Sequence, residues 1–379
     1  MIGSDIVIAR RSLTGRTPGV FALAALAALV ASIAAAAQAE PTAWAFNNKP
    51  GFTGSYQPEA KFSYNSAQGG KGKTLIRRAT TGVYSVTFDN LGSKLPSNVQ
   101  ITAVGGKDFC TTSGWSLTGQ KKNVTVSVRC FTPAGTAADS GFTLLYVARS
   151  APLGVSGPLA GFVLADKPKH GSAYAANPNY SYNSDYGANS IVRSGVGAYA
   201  VIMTSLPTIG GMPLVTARSK APVHCQAYNW GANPLPDEQV IVQCIDKTGA
   251  PVDAEFSLLF TAAAAAGNGR GTDLGAFAYG SPPGSAFSEP AEAWEFNSLN
   301  NKPLKQRAIA LGQYELAVPG PAKFATGIPL AGATEEPNTY CTIKRWSASP
   351  PAIFVNCYNP AGKLVPSYFD ALFQASSAP

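Results

Sequence analysis

CTTSGW (110–115), CQAYNW (225–230) and CTIKRW (341–346) each place a cysteine five residues before a tryptophan. Trp115 and Trp230 are 115 residues apart, and Trp230 and Trp346 are 116. Such self-similarity marks an internal repeat. A second cysteine recurs in VSVRC, VIVQC and IFVNC, at Cys130, Cys244 and Cys357. Gly135, Gly249 and Gly362 each follow it by five residues. The apolar closes FTLLY (142–146), FSLLF (256–260) and FDALF (369–373) come next.

The repeat extends upstream. SYNSA (63–67), SYNSD (181–185) and EFNSL (295–299) align. Arg78, Arg193 and Arg307 precede Gly82, Gly197 and Gly312, which lead into GVYSVTF, GAYAVIM and GQYELAV. WAFNNKP (44–50), FVLADKP (162–168) and FAYGSPP (277–283) open the copies. The units therefore run over 43–148, 159–262 and 274–375. A Gly- and Pro-bearing linker at 149–158 and a Gly-bearing one at 262–273 join them. A unit near 105 residues is of domain size and far longer than a propeller blade. Each copy is expected to hold its own core.

Within a unit, VYSVTF and VTVSVRC alternate with period two, and turn residues separate them. The mature chain shows no amphipathic helix. The pattern predicts an all-β protein of three tandem β-sandwich-like domains, with a β-barrel as the alternative.

The cysteines fall two per unit, 20, 19 and 16 residues apart. Each gap is centred on a turn sequence: TGQKKN, NPLP or SASPP. The pairs thus face each other near the open end of a hairpin whose turn length varies. Of fifteen pairings, only Cys110–Cys130, Cys225–Cys244 and Cys341–Cys357 respect the repeat. Loops of this size stabilise by about 3 kcal/mol each on the chain-entropy model.

The tryptophans admit two readings. Val126 and Val128 share a strand face with Cys130, the natural core side. An odd step from its cysteine, Trp115 on a regular strand points the other way, toward Thr125, Ser127 and Arg129. Trp115, Trp230 and Trp346 would then form a ligand-binding platform for sugars or other planar groups. One bulge between Cys and Trp reverses the parity, and Gly114 suits it in the first copy. The rings then pack in the core or cover a hairpin edge.

The N-terminus reads as an export signal. Arg10, Arg11 and Arg16 precede an apolar run, 20–37, that ends in Ala37-Gln38-Ala39. This predicts a signal peptide over 1–39, cleaved before Glu40. Arg10-Arg11 resembles a twin-arginine signal, whereas six cysteines suit oxidation after export. No later stretch has the length and apolarity of a membrane-spanning helix. A secreted, periplasmic or cell-surface location is expected.

Charged residues are 13 % of the chain, about half the usual share. The formal charge is +8; losing three Arg and one Asp with the signal leaves +6. No basic run exceeds two residues, which argues against nucleic acid.

Chemistry is sparse. His170 and His224 both lie in the second unit and have no counterparts. Asp139 and Asp253 are equivalent, with Pro366 in the third copy, and read first as turn-backbone acceptors rather than acids. Asn183, Asp185 and Asn189 only loosely suggest a calcium loop. No metal or cofactor set is expected. Arg78, Arg193 and Arg307 either bond the Asn-Ser segment or meet an anionic ligand, the first being favoured. Tyr64 and Tyr182 read first as packing.

These motifs resemble the tandem-repeat secreted proteins of high-GC bacteria: a YNS segment, R-x-G-x-G-x-Y, C-x4-W and V-x-C-x4-G. Here they are Tyr182-Asn183-Ser184, Arg193 to Tyr199, Cys225 to Trp230 and Val242 to Gly249. The third copy departs, with Phe296 for Tyr, a longer Arg–Gly gap and Pro366 for Asp. The resemblance implies export and repetition only.

The leading expectation is a non-enzymatic, exported binding module for a glycan or cell-envelope component. Linked weak sites would gain avidity. A secreted hydrolase with a carboxylate pair and a structural envelope spacer are the alternatives.

Overall fold

The computed structural model describes residues 41–148, 159–206, 208–232, 235–262, 273–281, 284–298, 302–319, 326–348 and 351–376. The expected signal peptide, 1–39, and nearly all of both linkers lie outside the described residues. Among the described residues, no helix is long and apolar enough to cross a membrane.

The first repeat contributes β1 (Thr42–Asn47), β2 (Ser55–Tyr56), β3 (Ser63–Asn65), β4 (Thr74–Thr80), β5 (Val83–Phe88), β6 (Ser97–Val104), β7 (Phe109–Thr118), β8 (Asn123–Phe131) and β9 (Gly141–Ala148). The second contributes β10 (Leu159–Ala165), β11 (Tyr174–Ala175), β12 (Tyr182–Asn183), β13 (Asn189–Gly195), β14 (Ala198–Met203), β15 (Met212–Arg218), β16 (Val223–Ala232), β17 (Glu238–Asp246) and β18 (Glu255–Ala262). The third contributes β19 (Asp273–Gly280), β20 (Glu295–Asn297), β21 (Lys305–Ala310), β22 (Gln313–Ala317), β23 (Thr326–Thr334), β24 (Tyr340–Ala348), β25 (Pro351–Tyr358) and β26 (Tyr368–Ser376).

Every repeat is a two-layer sandwich, as the period-two segments predict. In β5, Tyr84, Val86 and Phe88 turn inward while the residues between them are half-exposed. The outer layer of the first repeat runs β2-β4-β5-β8-β7 and the inner layer β3-β1-β9-β6. The second repeat follows the same order, and so does the third, with an isolated Ser288–Gln306 bridge in place of a β2 counterpart. Three separate cores fill the sandwiches. Val86, Val126 and Phe142 lie in the first, Val201, Val240 and Phe256 in the second, and Leu316, Val355 and Phe369 in the third.

The layers do not stop at the repeat boundary. Strand β7 of the first repeat pairs in parallel with β15 of the second, at Thr112 and Arg218. Strand β16 of the second pairs with β23 of the third, at Ala227 and Thr334. Strand β24 of the third returns to β6 of the first, at Ile343 and Val104. The result is three sheets of eight, nine and nine strands, each shared by two repeats. None closes on itself, so the architecture is a sandwich and not a barrel. Three head-to-tail contacts close a ring, as a three-fold rotation does in an oligomer.

The inner layers meet in a fourth core. Trp44, Phe162 and Phe277 occupy equivalent places in β1, β10 and β19, and all three are buried. Their strand partners are Leu145, Leu259 and Leu372. Each ring adds on the order of 3 kcal/mol by leaving water, and none of that gain belongs to one repeat. Tyr64, Tyr182 and Phe296 cover these rings, with Trp44 and Tyr64 stacked at 4.4 Å. The YNS aromatics are packing residues.

The Asn-Ser pair ties strand starts together. Ser66 Oγ accepts from Thr42 N–H, Ser184 Oγ from Ala160 N–H, and Ser298 Oγ from Gly275 N–H. The asparagines donate to backbone carbonyls: Asn65 to Lys73 and Asp89, Asn183 to Thr204, Asn297 to Lys302 and Pro319.

Gly82, Gly197 and Gly312 hold the second cysteine in place. Their carbonyls accept from Cys130, Cys244 and Cys357 N–H. Their φ values, 67°, 66° and 63°, lie in the left-handed region. A Cβ on Gly197 would sit 2.4 Å from the Cys244 carbonyl oxygen. Both constraints demand glycine.

Candidate functional site

The repeated C-x4-W stretch assigns one task to each position. The first position is the staple. Cys110–Cys130, Cys225–Cys244 and Cys341–Cys357 are bonded, and each pair is in direct register across its hairpin.

The second position hooks the neighbouring repeat. Thr111 Oγ1 donates to the Ser219 carbonyl at 2.9 Å, Gln226 Nε2 to Glu336 at 2.6 Å, and Thr342 Oγ1 to Gly106 at 2.9 Å. The third position forms the parallel bridge described above. The fourth is an extra residue. Register shifts fall between Thr112 and Gly114, between Ala227 and Asn229, and between Ile343 and Arg345. This is a β-bulge in every copy.

The bulge decides the tryptophans. It restores the parity that sends the ring to the core side. Trp115 is 9 % exposed and Trp230 7 %. Trp115 Nε1 donates to Ser97 Oγ at 2.9 Å. Each ring also meets an aromatic residue of the next repeat. Trp115 packs edge-on to Tyr180. Trp230 meets Trp294 and Tyr279. Trp346, half-buried, meets Phe46 and Phe62 of the first repeat. Phe62, Tyr180 and Trp294 each end a one-turn 3-10 helix just before the YNS segment. The outward platform of a regular strand does not form, because the bulge turns all three rings into the joints.

The same bulge turns other side chains outward. Its two residues are Ser113 and Gly114 in the first copy, Tyr228 and Asn229 in the second, Lys344 and Arg345 in the third. The last four are exposed.

The repeated arginines are structural in two copies, with a partner other than the Asn-Ser segment. Arg78 Nε and Nη2 each donate to Asp139 at 2.8 Å. Gly82 N–H and Tyr84 O–H donate to the same carboxylate. Arg193, Gly197 and Tyr199 surround Asp253 in the same way. The arginine bonds hold the Asp139 carboxyl below its usual range and Asp253 at about 2. Both stay ionised anchors. Pro366 removes the carboxylate from the third copy, and Arg307 pairs across the strand with Glu315 instead.

The exposed His170 has Ser172 Oγ 3.4 Å from its Nδ1, within the same turn. His170 Nδ1 lies 2.8 Å from the Ser172 carbonyl on the surface. His224 is buried on the ring axis between its counterparts Phe109 and Tyr340, at centroid distances of 3.7 and 4.3 Å. Burial pulls its pKa down to about 3. Below these rings lies a cavity of about 60 Å³ lined by all three repeats, Thr102, Thr216 and Thr342 among them. At roughly 10–15 Å³ per water, it has room for a few waters and is too small for a sugar.

Asn183 donates to Asn189 and accepts from Asp185 N–H, so the loose calcium pattern is a hydrogen-bonded turn. Among the described residues, no three His, Cys, Asp or Glu side chains are grouped to hold a metal.

Two clefts remain. One of about 590 Å³ lies between the first two repeats and contains Asp253, Glu255, Arg218 and Ser113. Its carboxylates are both ion-paired, Asp253 with Arg193 and Glu255 with Arg218. The other, about 330 Å³, is on the outer layer of the third repeat. Arg307, Ile309, Glu315, Lys344, Arg345 and Phe354 line it. The Arg345 guanidinium lies 3.7 Å from the centre of the Phe354 ring, its direct register partner.

The hooks and parallel bridges escape sequence reasoning because their partners lie about a repeat or more away. The bulge was legible as an option. Comparison with protein-family models, curated proteins and solved structures finds no match to this chain.

Proposed function

We propose that the chain is an exported, non-enzymatic binding protein of a bacterial envelope or its surroundings. In this reading a rigid ring of three sandwiches presents its outer strand faces to ligand. One observation carries the reading: the residues that recur are consumed by the fold, while the bulge pairs that face solvent differ from copy to copy. A scaffold that keeps its frame and varies its displayed residues suits recognition. The three disulfides agree with export.

The hydrolase alternative finds its best pair in Asp253 and Glu255. A glycosidase needs one carboxyl to carry a proton, whereas Arg193 keeps Asp253 ionised down to about pH 2. The cleft therefore offers no placed acid from Asp253. The spacer alternative makes the exposed bulges irrelevant.

A glycan array probed with the mature chain tests the reading. Retention on envelope glycans, lost when Tyr228 and Asn229 or Lys344 and Arg345 become Ala, is expected. Retention of nothing, or turnover on a hydrolase panel abolished by one Asp or Glu variant, would overturn it.

A further inference from the structure

We propose that the groove on the outer layer of the third repeat binds an acidic polysaccharide through Lys344, Arg345 and Arg307. This deepens the binding-module reading and rests on it.

The argument begins with what the third repeat lacks. In the first two copies the arginine is sequestered by an aspartate, which also accepts from a glycine N–H and a tyrosine O–H. Pro366 removes the aspartate, and the Arg–Gly gap, one residue longer, sets Arg307 in register with Glu315 on the opposite strand face, where Arg78 and Arg193 stand opposite Tyr84 and Tyr199. There its Nε and Nη2 both bond one oxygen of Glu315, and its guanidinium covers Phe287 at 4.4 Å. Its side chain remains 40 % exposed.

The bulge then adds two cations at consecutive positions. In the other copies these places hold neutral residues. Lys344 and Arg345 have no acidic partner among the ion pairs of the described residues. The Arg345 guanidinium sits over the Phe354 ring, which restrains it, while the side chain stays exposed to solvent. A planar, pre-oriented guanidinium is a two-pronged donor for a carboxylate or sulfate. Three cations against Glu315 leave the groove net positive.

The shape selects the class of anion. The groove is open and long enough in volume, about 330 Å³, for a short run of sugar rings. Ile309 and Phe354 supply apolar shoulders for the C–H faces of those rings. A bare inorganic anion would use none of that surface.

The test uses the mature, disulfide-intact protein and calorimetric titration with oligogalacturonate, with its fully methyl-esterified form as the neutral control. Binding of the acidic form, weakened roughly tenfold or more in Lys344→Glu/Arg345→Glu and falling with added salt, is expected. The methyl ester should not bind. Both substituted residues are exposed, and an unchanged melting curve confirms the fold. Equal binding by wild type and variant, equal binding of the ester, or no binding of oligogalacturonate or heparin fragments at millimolar concentration would overturn the proposal. Preference for anionic vesicles or DNA over both saccharides would overturn it as well. Retention of a neutral envelope glycan elsewhere would spare the broader reading while removing this one.

Discussion

Replacing Trp115 with Ala separates a packed ring from a ligand surface. The ring is 9 % exposed, closes the first core, donates to Ser97 and abuts Tyr180 of the next repeat. A buried tryptophan removes roughly 200 Å² from water, which at about 25 cal/mol per Å² is about 5 kcal/mol. Part of that area is already shielded in the unfolded chain. A loss of about 4 kcal/mol follows, inside the range of about 3–5 for such truncations. At roughly 2 °C per kcal/mol for a chain this long, the melting temperature should fall by about 8 °C. Urea titration followed by far-UV circular dichroism at pH 7, with disulfides intact, measures it. Trp115→Phe should recover about half. A cost below about 1 kcal/mol, with ready quenching of the wild-type ring by iodide, would refute the packing argument.

Other consequences follow from the same geometry. Because a fourth core and three parallel joints bind the repeats, calorimetry should show one cooperative transition; three resolved transitions would contradict the ring. Gly197→Ala should cost more than the 1–2 kcal/mol of a left-handed alanine, since its Cβ meets the Cys244 carbonyl at 2.4 Å. Gly171→Ala, with open space around it, is the neutral control for the same urea titration. His224 is held neutral by burial with its pKa lowered to about 3. The unfolded chain takes up its proton below about pH 6.5, so the stability it permits is complete above that pH and is lost as pH falls toward 3. His224→Phe should flatten that limb in stability measured against pH, leaving the drop below about pH 4 that comes from protonating Asp139 and Asp253.

Much of this was legible locally. Cysteine pairing followed from repeat spacing, because a hairpin brings its own two strands together whatever the length of its turn. The alternation of VYSVTF fixed which side chains of β5 turn inward. The partner of Arg78 was not legible. Asp139 is 61 residues away, and the third copy, with Pro366, hides the correlation. The shared sheets were also invisible, since Thr112 and Arg218 pair across 106 residues through one parallel contact with no turn to announce it. Separate cores were expected, and the structure adds a common one. Trp44, Phe162 and Phe277 read as ordinary strand residues until the repeats are laid around an axis.

The ring cluster of Phe109, His224 and Tyr340 shows what joining three copies in one chain permits. In an assembly of identical subunits, whatever side chain stands on the symmetry axis is confronted by two replicas of itself. Three imidazoles crowded there would have to share protons or repel one another. Covalent fusion lifts that restriction, so a lone basic ring can be lodged between two uncharged neighbours and each third of the molecule can drift toward its own chemistry.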